Sequence, residues 1–374
     1  MKFNKSGVIS SLSVLGVADI ATSIIGGVFW FIIATLIEPE EYGEINYLIS
    51  IVGITFSICL IGIRETIIVY TIKKNPITPI IFVITGISSC VGFIALSGIF
   101  SRIDISFLLI GFIINELCLG YFLGLRLYQK YSIFVLIQKI SSLVIGVIFV
   151  IIFGYEGLII ALALSYVHFI IIYFKVIRSG KIKFSLLKES KFFIDNYMMN
   201  IASAFRTHLD KIILLPIVGY AIIGNYALAL QVFGIMMIFP RLVFKYILPE
   251  DTVGNKNHNL KIVTIFFGVF VALLGYFLAP IIIPVLFPKF LETVEIIQII
   301  SFATIPASIN QIQTSKLLSK EKSRIIFMSR LLGAGTMILL IIILSPIMKE
   351  VGIAIAFLVS SITLCVSLYL FKGK

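Results

Sequence analysis

Apolar runs separated by short polar breaks fill the chain from one end to the other. Twelve runs can be drawn, at 10–37, 44–70, 78–100, 105–126, 131–153, 157–177, 190–217, 220–246, 260–286, 292–315, 324–346 and 351–371. A bilayer core of about 30 Å takes about 20 helical residues to cross, and each run is long enough. The pattern predicts an all-α polytopic membrane protein with about 12 transmembrane helices. The breaks are too short to hold a soluble domain. The first run continues without a small-residue cleavage site, so it is expected to stay as the first helix.

Within the runs, polar residues recur at helical spacing. In the seventh, Asn196, Asn200, Ser203, Thr207 and Asp210 are separated by 4, 3, 4 and 3 residues and so share one face, flanked by Arg206 and Lys211. In the first, Gly16, Asp19, Ser23, Gly26 and Trp30 repeat the pattern at 3, 4, 3 and 4. Ionisable groups at bilayer depth cost about 2.5 kcal/mol or more, so they face a partner or a wet cavity. The first-run face therefore serves either as a packing seam between helices or as a cavity wall. Arg64, Glu65 and Lys139 are placed either for structural pairing or for ligand contact. Glu116 lies too deep to snorkel and needs a basic partner or a proton. His168 reads as a hydrogen-bonded core histidine. Gln298, Ser308, Asn310, Gln311 and Gln313 suit either sugar hydroxyls or interhelical hydrogen bonds. Glu38, Glu40, Glu41 and Glu44 are expected in a solvated loop.

Composition agrees with the pattern. The chain of 374 residues is 60% hydrophobic and 13% charged, against about 45–50% and about 25% in soluble domains. The net charge of +12 has a topological origin. With the N-terminus in the cytoplasm, only Arg102, Lys289 and Lys349 fall on the outer side, and Arg64, Lys139, Arg206 and Lys211 lie inside runs. Every other Lys and Arg faces the cytoplasm, which predicts two cytoplasmic termini. The same charge attracts anionic membrane lipids, and no exposed basic domain is left for nucleic acid. Cys59, Cys90, Cys118 and Cys365 all lie within runs and lack metal-ligand spacing, so they read as packing residues. The three histidines are scattered, no phosphate-cradling glycine loop precedes a lysine, and no Asp-x-Asp pair occupies an outer loop. No metal, cofactor or enzymatic reaction is expected.

The longest basic, polar stretch, "KVIRSGKIKFSLLKESK" (Lys175–Lys191), separates six runs from six. This predicts an N-terminal lobe at 1–178, a cytoplasmic linker at 179–190 and a C-terminal lobe at 191–374. "ATLIEPEEYGEINYLISIV" (Ala34–Val52) and "LPIVGYAIIGNYALALQVF" (Leu215–Phe233) lie 181 positions apart, with Gly43 aligned on Gly224. Two parallel lobes with a site between them are a common transporter plan.

These segments carry a family resemblance. "LIEPEEYGEINYLISIV" resembles the first-turn signature of the polysaccharide biosynthesis branch of the multidrug/oligosaccharidyl-lipid/polysaccharide exporter superfamily. "HLDKIILLPIVGYAIIGNYALAL" is similar to its seventh-to-eighth segment. "APIIIPVLFPKF" and "ETVEIIQIISFATIPASINQIQTSKLLSKEKSR" are similar to its ninth-to-tenth region. The resemblance covers almost the whole chain. Members that flip lipid II commonly carry two further C-terminal helices, and their lack here favours the O-antigen-type flippases.

The resemblance implies a MATE/MOP-like fold in the cell membrane. It also implies transport of a polyprenyl-diphosphate-linked glycan, alongside other polysaccharide assembly proteins. Arg206, Lys211, Arg64, Lys139, Asn200, Asn310 and Gln311 are then candidate substrate contacts, and Asp19, Glu116 and Asp210 candidate coupling residues. Arg206 and Asp210, four residues apart, are expected to pair on one helix, with Arg206 able to exchange Asp210 for a diphosphate. The alternatives are a cation-coupled multidrug exporter of the same superfamily and a membrane polysaccharide polymerase. The latter would be expected to have a large basic outer loop.

The orientation is testable by thiol labelling of intact cells. Cysteines placed at Glu41 or Lys289 should react with an impermeant reagent, and cysteines at Lys183 or Lys320 should not. External labelling at Lys183 would overturn it.

Overall fold

The structure is a computed structural model that describes residues 5–60, 64–72, 78–178, 191–255, 257–320 and 322–371. Its side chains are described except at 5–14, 64–66, 69, 191–196 and 198–207. Among the described residues the fold is helical. By length and composition, nine helices could cross a membrane, or ten when the bent pair Thr293–Ser301 and Thr304–Leu318 is taken as one span.

Two of the longest helical runs are hairpins. Lys191–Met236 contains Gly219 at φ 77°, ψ 177°. The Tyr226 hydroxyl donates to Asp210 Oδ2 at 3.0 Å, yet 16 residues of straight helix would separate them by about 24 Å. The chain therefore turns back at Gly219, in a conformation that glycine adopts at low cost. Ser323–Leu370 breaks at Lys349 (φ 45°). There a Cβ on Gly333 would lie 3.3 Å from Leu364 Cβ, which again requires reversal.

The described helices thus trace twelve passes. We label them α1 (Lys5–Leu36), α2 (Pro39–Cys59, then Arg64–Ile72), α3 (Thr78–Phe100), α4 (Ile103–Gly124), α5 (Tyr128–Phe153) and α6 (Gly157–Leu164 through Ile170–Arg178). The second six are α7 (191–218), α8 (220–236, then Ile238–Val253), α9 (His258–Leu286), α10 (Thr293–Ser301 and Thr304–Leu318), α11 (323–348) and α12 (350–370). The basic linker lies outside the described residues.

The connection from α1 to α2 is only two residues long, and the four glutamates do not form a loop. Pro39 occupies the first helical position, and the Glu38 amide donates to Glu41 Oε2 at 2.9 Å. Glu40 and Glu41 stand in the first turn, where they complement the helix dipole. The acidic cluster is a helix start, which the solvated-loop expectation missed because it read charge without reading the cap.

The chain divides into two compact units. One comprises Met1–Leu36 with Leu48–Leu209, the other Ile37–Tyr47 with Asp210–Lys374. In the first, α1 lies along α5, and the Phe29 ring comes within 2.6 Å of where a Gly146 Cβ would stand. α5 is tied to α6 by a buried set: Gln138 Nε2 donates to Ser142 Oγ at 2.8 Å, and Ser142 Oγ donates to Ser165 Oγ at 3.0 Å. His168 bonds the Phe134 carbonyl at 3.1 Å, as a core histidine should. α7 joins this unit at Tyr197, whose hydroxyl donates to the Ile58 carbonyl at 2.6 Å, and at His208, whose imidazole covers Gly53.

In the second unit, the α1–α2 turn packs on the start of α8. A Cβ on Gly43 would collide with the Tyr220 carbonyl and lie 2.8 Å from Gly224 N. A Cβ on Gly224 would collide with the Pro39 carbonyl. Adding 181 converts Pro39 to Tyr220 and Gly43 to Gly224, so each contact is the image of the other. This is the reciprocity of a two-fold contact. Beside it, fully buried Tyr42 packs edge-on against Phe290, centroids 5.6 Å apart, and Lys289 pairs with Glu38 at 2.9 Å. At the other end of α8, Asp251 accepts from Lys261 of α9 and from Ser315 Oγ of α10, the latter at 2.7 Å.

The crossing has no room for a methyl group. Gly43→Ala or Gly224→Ala should destabilise the purified protein by about 1–3 kcal/mol, the usual cost of overpacking, read as a lower thermal midpoint in detergent. Gly98, which faces open space, supplies the control: Gly98→Ala should leave the midpoint unchanged or raise it. Equal midpoints for all three variants would contradict the close crossing.

Candidate functional site

The polar face of α1 borders open space. A Cβ on Gly16 would meet nothing within 4 Å, and one on Gly26 would meet only Lys139 Nζ, at 4.0 Å. Seam glycines in the same unit look different: Cβ atoms on Gly92, Gly111 and Gly146 would lie 2.6–2.8 Å from neighbouring side chains. Among the described residues, α1 is therefore not packed against another helix at Gly16 and Gly26. Ser23 is exposed on it, its hydroxyl donating to the Asp19 carbonyl at 2.7 Å.

Lys139 reaches this face from α5. It lies eleven residues from Tyr128 and fourteen from Phe153, which is mid-span. Gly26 sits equally centrally in the apolar stretch Leu15–Leu36. The lysine is half-buried, and no described residue supplies its ammonium with a hydrogen bond or a counter-charge. A glycine opposite leaves the ammonium room that any larger side chain would take. A strongly hydrated cation in this setting needs water or an anion.

Asp19, on the same face, and Glu116 of α4 are both half-buried and neither is free of partners. The side chains of Arg64, Asn200 and Arg206 lie outside the described residues, as does most of the α7 stripe.

The second unit handles its intramembrane charge differently. Asp210 is 6% exposed. Its Oδ2 accepts from Tyr226, itself fully buried, and its Oδ1 accepts from the Lys211 backbone amide at 2.8 Å. Lys211 Nζ stands 3.8 Å from the same oxygen. The carboxylate thus has a phenol, an amide and an ammonium around it. Tyr226 escaped the sequence reading because 16 residues is no helical spacing. The signal was Pro216 with Gly219, which marks a reversal between two polar positions.

The α10 amides are inside the unit. Asn310, 7% exposed, donates to the Ser361 carbonyl of α12 at 3.2 Å. Ser308 Oγ donates to the Thr304 carbonyl of its own helix at 2.7 Å, against Gly268. Gln298 donates to the Tyr276 carbonyl at 3.2 Å. Gln311 is half-buried. Among the described residues, no three His, Cys, Asp or Glu side chains are grouped to hold a metal ion.

No protein-family model and no curated protein sequence matches the chain. Solved structures do resemble it. A lipid II flippase, MurJ, in an inward closed conformation superposes with a TM-score of 0.80 at 14% identity, over 96% of this chain and 87% of that one. An inward-facing multidrug resistance MATE family transporter of the MOP superfamily gives 0.71 at 11% identity, over 94% and 93%. The eukaryotic MATE transporter AtDTX14 gives 0.63 at 14% identity, over 98% and 95%. At these identities the likeness is one of fold. The chain has the helical architecture of these transporters.

The Asp210 cluster predicts a stability difference. Tyr226→Phe removes a hydrogen bond to a buried charge and should cost about 1.5–3 kcal/mol, seen as a lower thermal midpoint. In the Asp210→Asn background the same substitution should cost clearly less. Equal losses in both backgrounds would mean that the phenol does not serve the carboxylate.

Proposed function

We propose that the protein is a flippase carrying a polyprenyl-diphosphate-linked oligosaccharide from the cytoplasmic to the outer leaflet of the cell membrane by alternating access. The observation that carries this reading is the open face of α1 with Lys139 above Gly26. A mid-span ammonium with no counter-charge among the described residues is suited to an anionic head group that enters and leaves. A drug cation would be repelled there. Half-buried Gln311 remains a candidate for sugar contact, while Asn310 is committed to α12. Arg206 and Lys211 are further candidates for the diphosphate. Lys211 also stands beside Asp210, so substrate would compete with that carboxylate for it. A lipid II flippase of this fold supports a lipid-linked substrate. In the orientation read from the basic residues, both termini are cytoplasmic, and the α1–α2 turn crosses α8 on the outer side. Opening that side would separate Gly43 from Gly224.

A second reading, cation-coupled drug export, is favoured by Asp19 on the same face and by the MATE fold. The two differ in which residue is indispensable. In proteoliposomes with a fluorescent polyprenyl-diphosphate saccharide, Lys139→Met should slow flipping at least about tenfold, as loss of one charge-assisted hydrogen bond predicts. Lys139→Arg should keep part of the rate. Gly26→Leu should block flipping at an unchanged thermal midpoint. Undiminished flipping by Lys139→Met would remove the diphosphate role. Drug efflux that needs Asp19 but not Lys139 would establish the exporter instead.

A further inference from the structure

A polar atom buried without a partner is rare in a folded protein and calls for a physical account. Three occur where α10, α11 and α12 meet. Asn310 Oδ1, Gln313 Oε1 and Ser329 Oγ are buried, and no described residue hydrogen-bonds to any of them. Their residues are 7%, 7% and 0% exposed. The Asn310 amide is oriented by its Nδ2, which donates to the Ser361 carbonyl of α12 at 3.2 Å. Its oxygen is thereby left as an acceptor.

Helical register brings the three atoms to one place. Leu317 of α10, Ile326 of α11 and Leu364 and Leu368 of α12 form one buried cluster. Asn310, Gln313 and Leu317 are spaced 3 and 4, as are Ile326, Ser329 and Gly333, so each set shares one face of its helix. Both faces meet α12: Asn310 through Ser361, and Gly333 where an added Cβ would lie 3.3 Å from the Ser360 carbonyl. The chain reverses between Leu317 and Ile326 to place both in the cluster. Gln313 and Ser329 are therefore at nearly one depth, about 6 and 4.5 Å from it along their helices. Asn310 is one turn further.

The chemistry selects the occupant. An amide oxygen can only accept, and a hydroxyl can donate or accept. A water molecule donates to the two amide oxygens and accepts from Ser329, which satisfies all three atoms at once. Three bonds is also the usual number for a buried water. A metal ion lacks a counter-charge here: no Asp or Glu occurs in 304–318, 323–348 or 351–370, and Arg330 adjoins Ser329. An uncompensated charge at this depth is costly.

We propose that α10, α11 and α12 enclose a bound water molecule, held by Asn310, Gln313 and Ser329, which joins the three helices one turn beyond their apolar cluster. The Asn310 and Gln313 amides then serve the fold, and neither is free for a sugar. The water site depends neither on the membrane orientation nor on what the protein transports.

The test is radiolytic footprinting of the full-length protein in detergent, where a bound water is converted to hydroxyl radical and oxidises the side chains around it. Oxidation is expected at Leu317 and Ile326, although they are 1% and 5% exposed. Buried Ile296 and Ile353 of the same unit supply the background. Gln313→Leu combined with Ser329→Ala removes two of the three partners and should bring Leu317 and Ile326 down to that background. Native protein marked only at background overturns the water, as does undiminished marking in the double variant. Should the double variant not fold, a map of the native protein that resolves ordered water decides. Density within hydrogen-bond distance of all three atoms supports the water, and its absence overturns it. A thermal midpoint raised by sodium or potassium over choline, and no longer raised in the double variant, would put a cation there instead.

Discussion

A peptide group in hydrocarbon finds no water to bond, so a chain this apolar must satisfy its backbone within each segment. Helices follow from that, and so does the way they break. Where α10 bends between Ser301 and Thr304, hydroxyls take over the loosened carbonyls. Ser301 Oγ donates to Gln298 O at 2.9 Å, and Thr304 Oγ1 to Ser301 O at 2.7 Å. In α6, Ser165 Oγ donates to Leu162 O at 2.7 Å where the helix loosens. The full reversals fall at Gly219 and Lys349. One uses a residue free to turn, the other a residue held by its surroundings.

Helices in lipid gain little from hydrophobicity when they meet, because the solvent is as apolar as their side chains. Close packing takes its place, and small residues permit it. The Gly43–Gly224 crossing is the extreme case, with backbone against backbone from two turns related by the same offset in sequence. A reciprocal contact duplicates every gain and every clash. It also brings Asn225, Glu292 and Lys289 into one small region at the end of the second unit, where ionic and hydrogen-bonding groups join turns that the chain keeps far apart.

Charge within the spans is resolved in two opposite ways. Asp210 is sealed, with a buried phenol, an amide and an ammonium disposed around one carboxylate. Lys139 has no counter-charge among the described residues and faces Gly26 of α1. The first arrangement stabilises what is already present. The second leaves the ammonium to water or an anion, since no described residue supplies a counter-charge.

Much of this was legible in the order of residues. Apolar runs of spanning length determined the helical class and the approximate number of passes, because lipid imposes one solution on a long apolar segment. The α1 face was legible as well, since a spacing of 3 and 4 puts Gly16, Asp19, Ser23 and Gly26 on one side of a helix. Whether Gly16 and Gly26 were packed or open was not legible, because small residues serve both, and only the atoms opposite them distinguish the two. Nor could helical spacing pair Tyr226 with Asp210, Lys139 with Gly26, or Asn225 with Glu292. Those partners lie on different helices or across reversals, and only the folded chain sets the distances between them.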